Sequence, residues 1–206
     1  MQINEMQNII YEMFAIFGIQ TNFVFVRSTK KSVAGTIGLK PNVGLVEFLG
    51  FKPQAVIGII QVNDKYLSKK KFTDSEIRFI LAHECSHIYS NHIISTLFWN
   101  LLETYLKGEK NENYLVIELA KTLLALMSKS GLPPNAETLR EQEYEADKIT
   151  VLSLTHDLES AVSCLTKLVD GDLDKPSHIW ELFGQVVPAM TMRQRIETLR
   201  RNVSSI

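Results

Sequence analysis

The sequence predicts an α+β fold that is mostly helical, with a small β-sheet beside one central helix. Apolar residues recur at helical spacing through most of the chain, whereas the short runs 22–27 and 55–62 are rich in the β-branched and aromatic residues typical of strands. With 206 residues, 45% hydrophobic and 22% charged, the chain has the composition of an ordinary globular protein. We therefore expect a single domain over residues 1–206.

The N-terminal part is predicted to contain one helix and the strands of the sheet. The helix covers residues 3–17, where Glu5 and Glu12 interrupt the apolar character and no small-residue cleavage site follows. This pattern indicates an amphipathic helix rather than a signal peptide. Strands are predicted at 22–27, within a strand-and-loop segment at 28–50, and at 55–62.

The central helix is predicted over residues 73–91. Thr73 and Glu76 form a T-x-x-E capping box at its start. Behind the cap, apolar residues follow the helical period, at Ile77, Ile80, Leu81 and Ile88. This helix carries the string His83-Glu84-Cys85-Ser86-His87, which is H-E-x-x-H.

The rest of the chain is predicted as helices separated by turns. The helices are expected at 93–107, 114–129, 137–154, 158–169 and 192–203, with breaks at 107–111, 130–135 and 171–175. The most apolar of these stretches are too short, or too interrupted by Glu118 and Lys121, to span a bilayer. We expect a cytoplasmic protein without a transmembrane segment, and peripheral membrane contact stays open.

Charge and cysteine content exclude several classes of protein. A net charge of −1 gives no electrostatic reason to expect a nucleic-acid partner. The two cysteines, Cys85 and Cys164, are too few for a disulfide framework or a cysteine-based zinc site. These data do not indicate an oligomeric state.

The H-E-x-x-H string predicts a zinc site. On a helix, His83 and His87 are four residues apart, so both imidazoles lie on one face and can bind one zinc ion. Glu84 is about a quarter turn away, where its carboxylate can reach the water that zinc activates. This combination is typical of a zinc hydrolase.

A catalytic zinc site needs a third protein ligand, and helical spacing points to Glu143. Glu143 shares an apolar stripe with Leu139, Ala146 and Thr150, and a carboxylate buried on such a stripe requires a metal ion or an ion pair. The ion-pair alternative is a salt bridge to Arg140 or Arg195. Asp147, one turn later, is placed to accept a hydrogen bond from a zinc-bound imidazole.

His92 does not fit the longer motif H-E-x-x-H-x-x-G-x-x-H. In that motif a glycine and a third histidine would stand at the positions of Ser90 and Ile93. His92 is therefore expected to lie behind the ligands or to have a structural role.

Four segments together resemble the HtpX and CAAX-prenyl-protease family of gluzincin zinc metallopeptidases. They are the lead-in to the motif from Thr73 to Ala82, the H-E-x-x-H-x-x-x-x-H string from His83 to His92, the R-x-x-E-x-x-A-D string from Arg140 to Asp147, and the closing R-I-x-x-L from Arg195 to Leu199. The resemblance covers a catalytic region of about residues 55–206, on which residues 1–54 are expected to pack.

The resemblance implies a zincin-like metallopeptidase domain with one Zn²⁺ ion. By resemblance His83, His87 and Glu143 are the zinc ligands and Glu84 is the general base. Members of the family often carry a His-Pro pair before the last helix, whereas this chain has Val187-Pro188-Ala189. The absence of that histidine leaves the group that stabilises the transition state unassigned, with Arg195, His178 and Tyr144 as candidates.

The sequence thus predicts a zinc endopeptidase that hydrolyses extended or unfolded polypeptides with water activated by zinc and Glu84. The alternative is a zinc-binding pseudo-enzyme or interaction module without proteolytic activity, which the missing histidine favours. Natural substrate and cleavage specificity do not follow from the sequence.

Overall fold

A computed structural model describes residues 1–19, 21–30, 33–39, 55–92, 136–177, 179–182, 185–188 and 190–204. The larger of the two sheets among these residues has three strands, β1 (Thr21–Ser28), β2 (Ala34–Leu39) and β3 (Ala55–Val62), in the order β1-β3-β2. β1 runs parallel to β3, and β2 runs antiparallel to β3. The predicted α+β class with a small sheet is confirmed.

The inner face of this sheet packs on the N-terminal helix and on the central helix. Alternate strand residues Val24, Val56, Ile60 and Val62 are fully buried. They meet the apolar face of α1 (Ile3–Ile16), formed by Met6, Ile10, Met13 and Phe14. Each such buried side chain contributes about 1.5–3 kcal/mol. The predicted helix at 3–17 and strands at 22–27 and 55–62 are therefore confirmed.

The two edges of the sheet have different surroundings. At the β1 edge, the side-chain amide of Gln7 donates to the carbonyl of Val24 (2.7 Å) and accepts from the amide of Val26 (2.9 Å), as a neighbouring strand would. β2, the edge strand on the opposite side of the described sheet, lies against the central helix.

The central helix is α3 (Asp74–Tyr89), and it begins at the predicted capping box. The amide of Glu76 donates to Oγ1 of Thr73 (3.2 Å), and the amide of Thr73 donates to Oε2 of Glu76 (2.7 Å). A short helix that the sequence pattern did not indicate, α2 (Asp64–Lys69), precedes it, with Oδ1 of Asn63 accepting from the amide of Tyr66 (3.0 Å).

The prediction of one continuous α-helix at 137–154 is wrong at its C-terminal end. α4 (Ala136–Ile149) ends at Ile149, and a π-helical segment follows at Thr150–Thr155. Thr150 turns its hydroxyl to that of Ser86 on the central helix (3.1 Å), and Oγ1 of Thr155 donates to the carbonyl of Thr150 (3.2 Å). These tertiary and local hydrogen bonds accompany the wider helical turn.

The C-terminal part contains two helices and a hairpin. The elements are α5 (Leu158–Leu168), the antiparallel strands β4 (Ile179–Leu182) and β5 (Gln185–Pro188), and α6 (Met192–Ser204). Both helices were predicted, whereas the hairpin was not. The predicted helices at 93–107 and 114–129 and the breaks at 107–111 and 130–135 lie outside the described residues. Among the described helices, none is both long and apolar enough to cross a membrane.

Glu76 connects the start of α3 to α5, which makes it a point where stability can be tested. Its carboxylate, 2% exposed, accepts from Nζ of Lys167 (2.7 Å) and Oγ of Ser163 (2.6 Å) in addition to the cap. We expect Glu76→Ala to lower the free energy of unfolding by about 2–4 kcal/mol, because it removes the buried partner of an ion pair whose lysine is partly exposed.

Urea unfolding followed by circular dichroism measures this loss. Thr73→Ala is the matched variant, because it removes only the acceptor of the cap and should cost about 1 kcal/mol. Equal losses for the two variants would show that the contacts of Glu76 with α5 contribute nothing.

Candidate metal centre

The H-E-x-x-H residues lie on α3, in the interior of the described part of the structure. This helix contacts α1, β2, α4 and α5, so it is covered on most sides. His83, Glu84 and His87 are all buried, with 9%, 8% and 9% of their surface exposed. Buried polar groups require specific partners, and those of the two histidines come from α4, from α6 and from His92 after the end of α3.

Three side chains from α3 and α4, those of His83, His87 and Glu143, bring their donor atoms close together. Nε2 of His83 and Nε2 of His87 are 3.0 Å apart. Oε1 of Glu143 is 3.3 Å from Nε2 of His87, and Oε2 is 3.4 Å from Nε2 of His83. Ligand atoms about 2.0 Å from a tetrahedral zinc ion are roughly 3.3 Å from one another, so the spacing of this group suits such an ion.

The chemistry of the two imidazoles also fits a metal ion. Two unprotonated nitrogens that face each other at 3.0 Å repel each other, so either one Nε2 carries a hydrogen or a metal ion lies between the two rings. Two imidazoles, one carboxylate and a fourth position for water form a common donor set of catalytic zinc sites.

Asp147 lies behind His83, as helical spacing predicted. Its Oδ1 is 2.9 Å from Nδ1 of His83, although the N–H direction departs from that of a well-aligned hydrogen bond. Burial lowers the pKa of His83, but the carboxylates of Asp147 and Glu143 outweigh that effect and raise the pKa to about 10. A metal ion at Nε2 therefore has to displace a proton.

Arg195 of α6 connects the two carboxylates on α4. Its Nε and Nη2 donate to Oδ2 and Oδ1 of Asp147 at 2.6 and 2.8 Å, and its Nη1 is 3.0 Å from Oε2 of Glu143. Burial would raise the pKa of Glu143, but the positive charge of Arg195 holds it well below its usual range. The ion-pair alternative considered for Glu143 is thus present together with the convergence on the histidines.

His92 contacts the second histidine, His87, through the ring nitrogen of His87 that does not face His83. Its Nδ1 is 3.0 Å from Nδ1 of His87, and its Nε2 is 3.3 Å from Oε2 of Glu145. Burial lowers the pKa of His92 to about 4, so the ring is neutral. If His92 donates to Glu145, it accepts from His87 and leaves Nε2 of His87 unprotonated for a metal ion.

Glu84 is not one of the three residues that could hold a metal ion, but it is close enough to His83, His87 and Glu143 for their charges to act on its carboxyl. Burial raises the pKa of its carboxyl, against the opposing influence of the nearby histidines and Arg195. A raised pKa makes a carboxylate a better proton acceptor near neutral pH. Its neighbour Cys85 is fully buried, and burial raises the pKa of that thiol well above its usual range, so Cys85 is an unreactive core residue.

Tyr144 and His178, the other two candidates for stabilising the transition state, are not among the described contacts of this cluster. Tyr144 is partly buried, and among the described residues it makes none of the contacts that join the group. His178 lies outside the described residues.

Comparison with known families agrees with this arrangement. The sequence profile of peptidase family M48 matches residues 4–201, nearly the whole chain. The chain belongs to peptidase family M48. The predicted membership in the HtpX and CAAX-protease group is therefore confirmed, and M48 peptidases are zinc-dependent hydrolases that act on polypeptides. No curated protein and no solved structure matches the chain.

Family membership supports several of the sequence predictions at a general level. This M48 chain is a member of a metallopeptidase family, and it has a histidine, histidine and glutamate group that could bind a metal ion. A zincin-like fold is implied by the family. The sequence offered a salt bridge between Arg195 and Glu143 as an alternative, and the structure contains it. The two-point contact of Arg195 with Asp147 was not predicted, although the R-x-x-E-x-x-A-D and R-I-x-x-L strings could have suggested it.

Proposed function

We propose that this M48 chain is a zinc endopeptidase with His83, His87 and Glu143 as metal ligands and Glu84 as general base. The observation that supports it most strongly is the convergence of three side chains near a buried carboxylate: the two Nε2 atoms are 3.0 Å apart, and each lies 3.3–3.4 Å from one oxygen of Glu143. Zinc-binding sites without catalysis have no need for this additional buried carboxylate.

A zinc ion bound here would supply Lewis-acid chemistry, by lowering the pKa of water and polarising a peptide carbonyl. Glu84 accepts the proton of the attacking water and transfers it to the amine that leaves when the peptide bond breaks. Asp147 and His92 hold the imidazoles so that each presents Nε2.

We propose that the substrate is an extended or unfolded polypeptide that lies along β2. This strand lies against α3 at the edge of the described sheet, and an extended chain can pair with such an edge through backbone hydrogen bonds. The opposite edge is less suited, because the amide of Gln7 already bonds the backbone of Val24 and Val26. A folded protein cannot present an extended backbone without local unfolding.

The purified protein is expected to cleave casein, which is largely unfolded, and to spare a stable folded protein of similar size. A chelator should reduce cleavage to background, and one equivalent of Zn²⁺ should restore it. Fluorescent casein and gel analysis measure both effects.

The outcome also separates an enzyme from a binding module. One zinc ion per chain by mass spectrometry, without cleavage of casein, would contradict the proposed peptidase and favour a metal-binding interaction module.

A further inference from the structure

The guanidinium of Arg195 contacts one oxygen of Glu143, Oε2, and among the described contacts none joins it to Oε1. Arg195 is 5% exposed, and its two-point contact with Asp147 fixes the plane of the group. The remaining Nη1 then points at Oε2 of Glu143, 3.0 Å away. Oε1 of Glu143 instead faces Nε2 of His87, 3.3 Å away.

Without Arg195, the carboxylate of Glu143 could use either oxygen or both. Oε2 is 3.4 Å from Nε2 of His83, and Oε1 is about equally far from Nε2 of His87 (3.3 Å), so both face the imidazole pair. A carboxylate that binds a metal through both oxygens adds a ligand and raises the coordination number. Catalytic zinc sites instead keep three protein ligands and a position for water.

We propose that Arg195 is a positioning residue that holds Oε2 of Glu143 and makes this side chain a one-oxygen ligand, so that the metal keeps four-coordinate geometry with water as the fourth ligand. The inference rests on the proposed metal site and adds how the coordination number is set. Asp147 has two functions in this arrangement, since it contacts His83 and orients the guanidinium.

Cobalt(II) in place of zinc tests the proposal, because the visible absorption of Co²⁺ is much stronger in four-coordinate than in five-coordinate sites. The wild-type protein loaded with Co²⁺ should show the strong four-coordinate bands. Arg195→Met should weaken the absorbance per bound Co²⁺ several-fold, because both oxygens of Glu143 become available. Arg193→Met is the matched control, since Arg193 lies on the same helix, pairs with Asp174 and is half-exposed, and its spectrum should equal that of wild type.

Arg195→Lys covers the case in which Arg195→Met does not fold. Lysine keeps the charge but lacks the planar fork that reaches both carboxylates, so the absorbance should again fall. A folded Arg195→Lys or Arg195→Met protein with the wild-type spectrum would overturn the proposal, as would a weak, five-coordinate spectrum of the wild type itself.

These results are independent of the proposed catalysis. Strong four-coordinate bands that weaken in the Arg195 variants, in a wild-type protein that does not cleave casein, would support the positioning role and reject the peptidase. Cleavage of casein together with unchanged spectra in the Arg195 variants would support the peptidase and reject the positioning role.

Discussion

Replacing Glu84 with Gln lowers the rate of peptide hydrolysis by about 10²–10⁴-fold, the usual contribution of a positioned acid or base, while zinc binding stays unchanged. Glutamine has the shape of glutamate but accepts no proton from water at neutral pH. Glu84 is not one of the three converging donors, so the metal site is preserved. The loss should appear in kcat, with KM little changed, since the substrate still binds.

Steady-state cleavage of a quenched fluorescent peptide, with zinc content by mass spectrometry, measures both quantities. Asp74→Asn is the matched control, because it removes an exposed carboxylate from the first turn of the same helix. Its activity should equal that of wild type. If Glu84→Gln cleaves as fast as wild type with its zinc bound, Glu84 is not the general base.

The parts of the site that could be predicted from the sequence are those determined within one helix. The four-residue spacing of His83 and His87 is a local property of α3, and so is the capping box that sets its start. Glu143 could be predicted to need a partner from its position on an apolar stripe, because burial of a carboxylate demands one. The structure places these residues together, although Glu143 comes from a different helix.

The contact between His92 and His87 could not be predicted from helical spacing, because the helix ends before His92. On an ideal helix, His92 would point away from His83, nine residues earlier. α3 instead ends at Tyr89, and Asn91 adopts a left-handed conformation (φ 57°). This turn brings the ring of His92 back to His87. Asparagine is one of the few residues that tolerate this conformation, but the pattern alone does not show which asparagine adopts it.

Long-range contacts account for the rest of what sequence reasoning missed. The parallel pairing of β1 with β3 and the position of β2 on the far side of β3 depend on the whole sheet. The π-helical turn at Thr150 coincides with a hydrogen bond to Ser86, 64 residues earlier. Arg195 lies 48 residues after Asp147, and no local period relates the two.

Replacing Glu143 with Ala removes the third ligand and should abolish zinc binding at micromolar metal. Loss of an outer partner of a zinc ligand already weakens binding by about 10–100-fold, and loss of a ligand should cost more. Cleavage should disappear with the metal. The variant also leaves Arg195 with one carboxylate fewer in a buried cluster, so the free energy of unfolding should fall by about 3–5 kcal/mol.

Competition with a chromophoric chelator measures the zinc affinity, and urea unfolding measures the stability. Glu141→Ala is the matched control, because Glu141 is exposed on the same helix and its loss should change neither quantity. Glu143→Gln helps to separate the two effects, because its amide oxygen can still accept a hydrogen bond from Arg195 but binds zinc much more weakly than a carboxylate; zinc affinity should fall with a smaller loss of stability than in Glu143→Ala. If folded Glu143→Ala bound zinc as tightly as wild type, Glu143 would serve only as the ion-pair partner of Arg195, and the third ligand would have to come from elsewhere in the chain.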